Sequence, residues 1–198
     1  MSSQRAAPPS ARIATSRNGE ISLNRESKPL NWPQQTYRVL KQARVRQVAY
    51  VPDSGHSELI RTFHADREVK TVVLTTEEEG VAMLGGAWLG GERGVLLMQS
   101  SGAGNCINML GIIAECRFPL LALVTMRGQW GEFNPWQVPM SQATAPALGA
   151  IGVIVQPVDD AGRVAETVEA AAQLAFNAER AVAVLISQRI VGAKQFNK

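Results

Sequence analysis

Six short, unbroken apolar runs, separated by stretches of helix length, constrain what this chain can fold into. They are Val48–Val51, Thr71–Leu74, Val95–Met98, Leu120–Val124, Gly152–Val155 and Val182–Ile186. Strands without apolar–polar alternation are buried on both faces, and the helices between them supply the cover. The expected fold class is therefore α/β, a three-layer α/β/α domain with a mainly parallel sheet of about six strands. A chain of 198 residues suits one such domain. No internal repeat or second domain is visible.

Between the runs, helices are expected from Trp32-Pro33, through Leu59, Ile60 and Phe63, and from Glu77 to Leu89, where Gly90-Gly91 ends the helix. A glycine loop should lead into a helix from about Asn105 to Cys116. Arg127 to Gln142 reads as a long loop, followed by a short helix near Ala143–Leu148 and a long Ala-rich helix from about Asp159 to Ala178. Residues 1–30 are rich in Ser, Arg, Pro and Asn without apolar period, so they are expected to be a disordered or loosely docked extension, and 31–198 the domain.

The formal net charge is only +3, and Arg5, Arg12, Arg17, Arg25 and Lys28 all fall in that extension. With no basic stripe interleaved with aromatics, nucleic acid is not an expected partner. No apolar run reaches transmembrane length, and Met1–Ser10 has no apolar signal core. A cytoplasmic protein without membrane contact is expected. Cys106 and Cys116 form no metal pattern and read as reduced thiols. His56 and His64 have no ligand partner at a suitable spacing, so no metal site is expected.

The acids Glu77-Glu78-Glu79 open the nearly uncharged helix that follows the second strand. A carboxylate there lies at a strand's carboxyl end, where open α/β sheets bind ligands. Thr76 and Glu79 have capping-box spacing, which gives Glu79 a structural role. Glu78 shares a helical face with Ala82, Gly85 and Leu89, and Glu77 with Val81, Leu84 and Trp88. The smaller residues on the Glu78 face would let a flat ligand approach. Simple complementation of the helix dipole is the plainer explanation for both. The uncharged helix behind the acids should be covered all round, by its own domain or by a partner.

Three further segments lie at strand ends. Gln99-Ser100-Ser101-Gly102-Ala103-Gly104-Asn105 allows close backbone approach and offers helix N-terminal amides. It matches neither a Walker loop nor a nucleophile elbow, and a tight strand-to-helix turn also explains it. In Pro52-Asp53-Ser54-Gly55-His56, Asp53 is a candidate polar site residue and Ser54 a candidate helix cap, with plain turn chemistry as the alternative. Arg127, beyond the fourth strand, is placed to clamp an anionic substrate; a surface or subunit-contact loop is the other reading.

In this order, Glu77-Glu78-Glu79-Gly80-Val81, Leu97-Met98-Gln99-Ser100-Ser101-Gly102-Ala103-Gly104-Asn105, Arg127-Gly128 and Gln137-Val138-Pro139-Met140 resemble the pyrimidine-binding domain of thiamine-diphosphate enzymes. Val51-Pro52-Asp53-Ser54 is similar to the wider family's first loop. Within the family the segments look most like sulfopyruvate decarboxylase α subunits, then phosphonopyruvate decarboxylases. The resemblance covers roughly residues 33–190.

It implies a 2-oxo acid decarboxylase in which a glutamate hydrogen-bonds N1′ of the cofactor's aminopyrimidine and favours the imino tautomer. Counting back from Trp88 selects Glu78 for that role, and counting from Gly86 moves the choice to Glu77. The resemblance places Asp53 near the reacting carbon, Ser101, Gly102, Gly104 and Asn105 beside the cofactor, and Arg127 and Gln137 at the substrate's anionic group. Family members anchor Mg²⁺ and the diphosphate with a Gly-Asp-Gly motif in a second domain, and this chain has no such motif. The resemblance therefore implies half an active site, with thiamine diphosphate shared with a β subunit that holds Mg²⁺, in a hetero-oligomer or a homo-oligomer of the α chain. The alternatives are a non-catalytic assembly or regulatory subunit of the same fold, or a flavodoxin-like nucleotide binder using Ser101–Gly104. Ala103 and the aromatic loop Trp130, Phe133, Asn134 and Trp136 depart from the relatives' pattern, which leaves the particular 2-oxo acid open.

Overall fold

The computed structural model describes residues 31–193. In chain order the elements are α1 (Trp32–Gln42), β1 (Val45–Tyr50), α2 (Ser57–Ala65), β2 (Lys70–Val73), α3 (Glu77–Leu89), β3 (Arg93–Gln99), α4 (Ser100–Cys106), α5 (Leu110–Cys116), β4 (Leu120–Thr125), α6 (Gln137–Ala150), β5 (Ile154–Val158), a 3₁₀ turn (Ala161–Arg163), α7 (Val164–Asn177), β6 (Ala181–Ile186) and α8 (Gln188–Val191). The expected extension at residues 1–30 lies outside the described residues.

Six strands form one sheet in the order β2-β1-β3-β4-β6-β5, every pair parallel. The doubly covered sheet follows from the uninterrupted apolar strands: β4 is buried at every position and β3 at its five central ones. One core cluster packs residues of α1, α2 and α7 on one face, centred on Leu40, Phe63 and Val168. The other packs α3, α4 and α5 on the opposite face, around Val81, Ala103 and Ile113. Pro157 is tolerated inside β5 because that strand is an edge, paired only with β6. Asn31 caps α1 by accepting from the Gln34 amide at 3.2 Å, with Pro33 in the first turn.

Several local expectations are corrected. The glycine segment after β3 is not a loop: α4 begins at Ser100, and the single helix expected over 105–116 is split into α4 and α5. Glycine disfavours a helix by about 1 kcal/mol per residue. Here Gly102 and Gly104 let α4 sit against Glu77 of α3 and Met140 of α6, and that packing outweighs propensity. α6 starts at Gln137, well before Ala143, because Pro139 falls in its first turn, where an amide has no intrahelical partner. α8 was not anticipated. Helix α3 is covered on one side only: Val81, Leu84 and Ala87 are buried, while Leu89 is 74% exposed.

The expected capping box at α3 does not form. The Thr76 hydroxyl makes no cap bond, and the Glu79 carboxylate reaches back to the Thr75 amide at 2.9 Å, one residue earlier than the motif requires. Ser54 does not cap α2 either; His56 occupies the cap position and makes no side-chain cap bond.

Candidate active site

In the strand order, β1 leads outward to β2, while β3 begins the run toward β4. The crevice at the carboxyl ends of β1 and β3 is therefore the sheet's switch point, where ligands of such folds bind. The chain leaves β1 toward Asp53 and ends β3 at Gln99, and these two side chains meet across the crevice, Gln99 Nε2 donating to Asp53 Oδ1 at 3.1 Å. The Thr125 hydroxyl, at the end of β4, donates to Asp53 Oδ2 at 2.5 Å, and the Gly55 amide adds a bond at 3.2 Å. Burial pushes the Asp53 carboxyl upward, but these donors, led by Thr125, hold it below its ordinary value. Ser101 joins the network from above, its hydroxyl donating to Gln99 Oε1 at 3.0 Å.

The second group forms where α3 meets α4. Glu77, the first residue of α3, is only 7% exposed. Its carboxylate lies flat against Gly102: a methyl group there would come within 2.2 Å of Oε1. Asn105 Nδ2 donates to Glu77 Oε2 at 2.9 Å. No cation pairs with Glu77 among the described residues. Glu78, the residue first expected to meet the cofactor, is half-buried beside it and makes no hydrogen bond to Asn105. The face of Glu77 that carries Val81, Leu84 and Trp88 is the one docked on the sheet, so the carboxylate at its head turns into the crevice. Judging approach by the small residues of α3 itself missed that the small residue facing the acid, Gly102, belongs to another helix. Burial, with the charges of Glu77 and Glu78 adding to it, drives the Cys106 thiol up to about 12.

A third group ties down the segment after β4. Arg127 is fixed by a bidentate ion pair to Glu132, with Nε and Nη2 each 2.6 Å from a carboxylate oxygen, both side chains being almost fully buried. Glu132 also accepts from the amides of Gly128 and Asn134 and from Gln188 Nε2. Arg127 and these other donors hold the Glu132 carboxyl at about 2. Gln188 is fully buried, and its Oε1 accepts from the amides of Gln129 and Trp130. The Arg127 amide bonds the Ser100 hydroxyl at 3.1 Å, joining this group to α4. Gly128 adopts a φ of +77° with the Gln137 carbonyl directly against it, a close approach only glycine allows. Gln137 keeps a buried Oε1 without a partner.

Thus Asp53 and Ser101 share one network, Gly102 and Asn105 meet Glu77, and Gly104 is packed under Met140 of α6. Arg127 is present at the crevice but is already neutralised by Glu132. A small cavity of about 230 Å³ is lined by Asp53, Ser54, Gly55, Thr125 and Arg127 together with Val191, Gly192 and Ala193. Sequence reasoning missed Thr125, Glu132 and Gln188. Thr125 had a signal, as the polar last residue of a buried strand; Gln188 had none. His56 is a fully buried core residue, bonded through Nε2 to the Leu123 carbonyl at 3.0 Å and kept neutral by its burial. No three His, Cys, Asp or Glu side chains among the described residues are grouped to hold a metal ion. No helix among them is long and apolar enough to cross a membrane.

A parallel α/β domain with a buried carboxylate in the first turn of a helix beside its switch-point crevice defines a class of cofactor-binding domain. Residues 31–143 match the model of the thiamine pyrophosphate enzyme N-terminal TPP binding domain, and the chain belongs to that family. It is 29% identical over 79% of its length to the sulfopyruvate decarboxylase α subunit of Methanococcus maripaludis, covering 95% of that protein. The corresponding subunit of Methanothermobacter thermautotrophicus is 30% identical, over 76% of this chain and 92% of its own length. Phosphonopyruvate decarboxylase of Streptomyces hygroscopicus is 38% identical over 53% of this chain, which spans only 27% of that enzyme. Among solved structures, benzoylformate decarboxylase from Polynucleobacter necessarius shares the fold, with a TM-score of 0.64, 15% identity and coverage of 86% of this chain and 32% of that one.

Proposed function

We propose that this chain is the α subunit of a thiamine-diphosphate-dependent 2-oxo acid decarboxylase of the sulfopyruvate and phosphonopyruvate decarboxylase kind. Near-complete coverage of two sulfopyruvate decarboxylase α subunits supports this reading. The observation that carries it is Glu77, buried against Gly102 with Asn105 as its hydrogen-bond partner. The residues present fit the pyrimidine end of the cofactor: an acceptor carboxylate without a counter-ion, a glycine floor that a side chain would fill, and a neighbouring amide. Glu77, Gly102 and Asn105 would hold the aminopyrimidine, with Ser101 and Gly104 shaping the same helix turn.

When bound, thiamine diphosphate supplies the carbon chemistry of decarboxylation. The chain's contribution is positional and protonic. Glu77 holds the proton shared with N1′ of the ring, and its seat at the head of α3, backed by α4, limits where that proton lies. Asp53, kept ionised by Thr125 and Gln99, lines the small cavity and orients the substrate's reacting end. Arg127 lines the same cavity. With Glu132 bound to the Nε–Nη2 edge of the guanidinium, Arg127 offers its remaining N–H groups rather than an uncompensated charge. A strongly anionic substrate tail therefore draws part of its counter-charge from elsewhere in the assembly.

A β subunit is proposed to carry the diphosphate and Mg²⁺ end of the cofactor. The match to nearly the whole of two relatives named as α subunits supports this, as do the exposed Leu89 of α3 and Trp136 at the start of α6, apolar groups suited to a partner surface. The direct test is decarboxylation of a series of 2-oxo acids by the co-purified α and β chains, with Glu77→Gln as the variant. Activity that depends on both chains and on Glu77 is expected. Activity of the α chain alone would contradict the shared site.

A further inference from the structure

At the amino-terminal end of the sheet, opposite the crevice, two adjoining cavities share a pair of arginines. The first, about 460 Å³, is lined by Arg44, Arg46, Trp88, Gly91, Glu92 and Arg93. Its neighbour, about 320 Å³, is lined by Arg44 and Arg93 again, with Gln42, Gln173, Asn177 and Glu169 among its other walls. Both volumes lie in the range of small-molecule sites.

The first cavity is lined by three arginines and by Glu92, which is itself hydrogen-bonded by the Gln47 amide. Two of the arginines are braced from behind. Arg93 donates to the Ala43 carbonyl at 3.1 Å and lies over the Phe176 ring. Arg46 reaches Glu68 at 3.2 Å. The Arg44 guanidinium has no hydrogen bond or ion pair among the described residues. Its backbone is left-handed, with a φ of +61°, just past the end of α1, where glycine is the unstrained residue. Arg44 is exposed where the two cavities meet.

We propose that this end of the domain binds a phosphorylated metabolite of nucleotide size. Its phosphates sit among Arg44, Arg46 and Arg93, an arrangement suited to phosphate oxygens. Its ring rests against the Trp88 indole, and the amides of Gln42, Gln173 and Asn177 supply hydrogen bonds in the second cavity. The site is remote from Glu77, so it stands independently of the decarboxylase reading.

The test is calorimetric titration of the full α chain, without its partner, using ATP, adenosine and inorganic phosphate as probes. ATP should bind, with adenosine and phosphate each weaker by about tenfold or more. Arg44→Gly should weaken ATP by about tenfold or more without lowering the melting temperature of the free chain, since glycine suits that backbone. Glu77→Gln should leave ATP binding unchanged. The proposal is overturned if ATP fails to bind at millimolar concentration, if phosphate binds as tightly as ATP, or if both Arg44→Gly and Arg46→Ala leave ATP binding intact.

Discussion

Glu77 and Gly102 are in contact, the carboxylate of one helix lying in the space where any other residue of the next would carry its Cβ. The atoms that a methyl group at Gly102 would meet belong to the flexible end of Glu77. Gly102→Ala should therefore displace the carboxylate rather than unfold the domain. Helix propensity favours the alanine by about 1 kcal/mol, offsetting the clash. The expected outcome is a melting temperature close to wild type with decarboxylase activity reduced by about a hundredfold or more. A fully active Gly102→Ala enzyme would show that the carboxylate's seat is unimportant.

The Arg127–Glu132 pair is a structural hub, and removing one partner strands the other. Glu132→Gln should destabilise the chain by about 3 kcal/mol, read by urea denaturation. The pair also sets an acid limit. The folded Glu132 carboxyl, at about 2, lies below its ordinary value of 4.5, so its contribution to stability is complete above about pH 4.5 and is lost as pH falls toward 2. In Glu132→Gln this part of the pH dependence should be missing, leaving a flatter stability profile between those limits.

Thr125 holds Asp53 in its ionised form. Thr125→Val keeps the shape but removes the donor, so the Asp53 carboxyl should move upward. If Asp53 orients the reacting end of the substrate as a carboxylate, the acid limb of kcat/KM moves to higher pH in this variant. An unmoved acid limb would separate Asp53 from that role.

The two thiols should differ sharply in reactivity. Cys106 is buried with its thiol pushed up to about 12, while Cys116 is exposed. A thiol reagent at pH 8 should label one cysteine rapidly in the native chain, and a second only after denaturation. Rapid labelling of both would contradict the packing between α3 and α4.

Much of the fold was legible because the physics is local. Unbroken apolar runs such as Val95–Met98 specify buried parallel strands, and Gly90-Gly91 marks the end of α3. The start of α4 was not legible, because a glycine-rich turn and a glycine-rich helix differ only in what packs on them. Which of Glu77 and Glu78 is the more buried was not legible for a similar reason. Adjacent positions on a helix point about 100° apart, and which one enters the crevice depends on how α3 docks on β1 and β3. The resemblance of short motifs located the acid run, the Gly102–Asn105 turn and Arg127 together. It did not reveal that Arg127 is already paired, because Glu132 and Gln188 complete that group from a loop and a short helix that carry no pattern of their own.

Glu77, rather than its neighbour, is the proposed cofactor carboxylate. That assignment is tested most directly by steady-state decarboxylation in the assembled α and β chains carrying Glu77→Gln or Glu78→Gln. A fall in kcat of about 10²–10⁴-fold is expected for Glu77→Gln and a change of only a few-fold for Glu78→Gln. The reverse order, or near-normal turnover by Glu77→Gln, would contradict it.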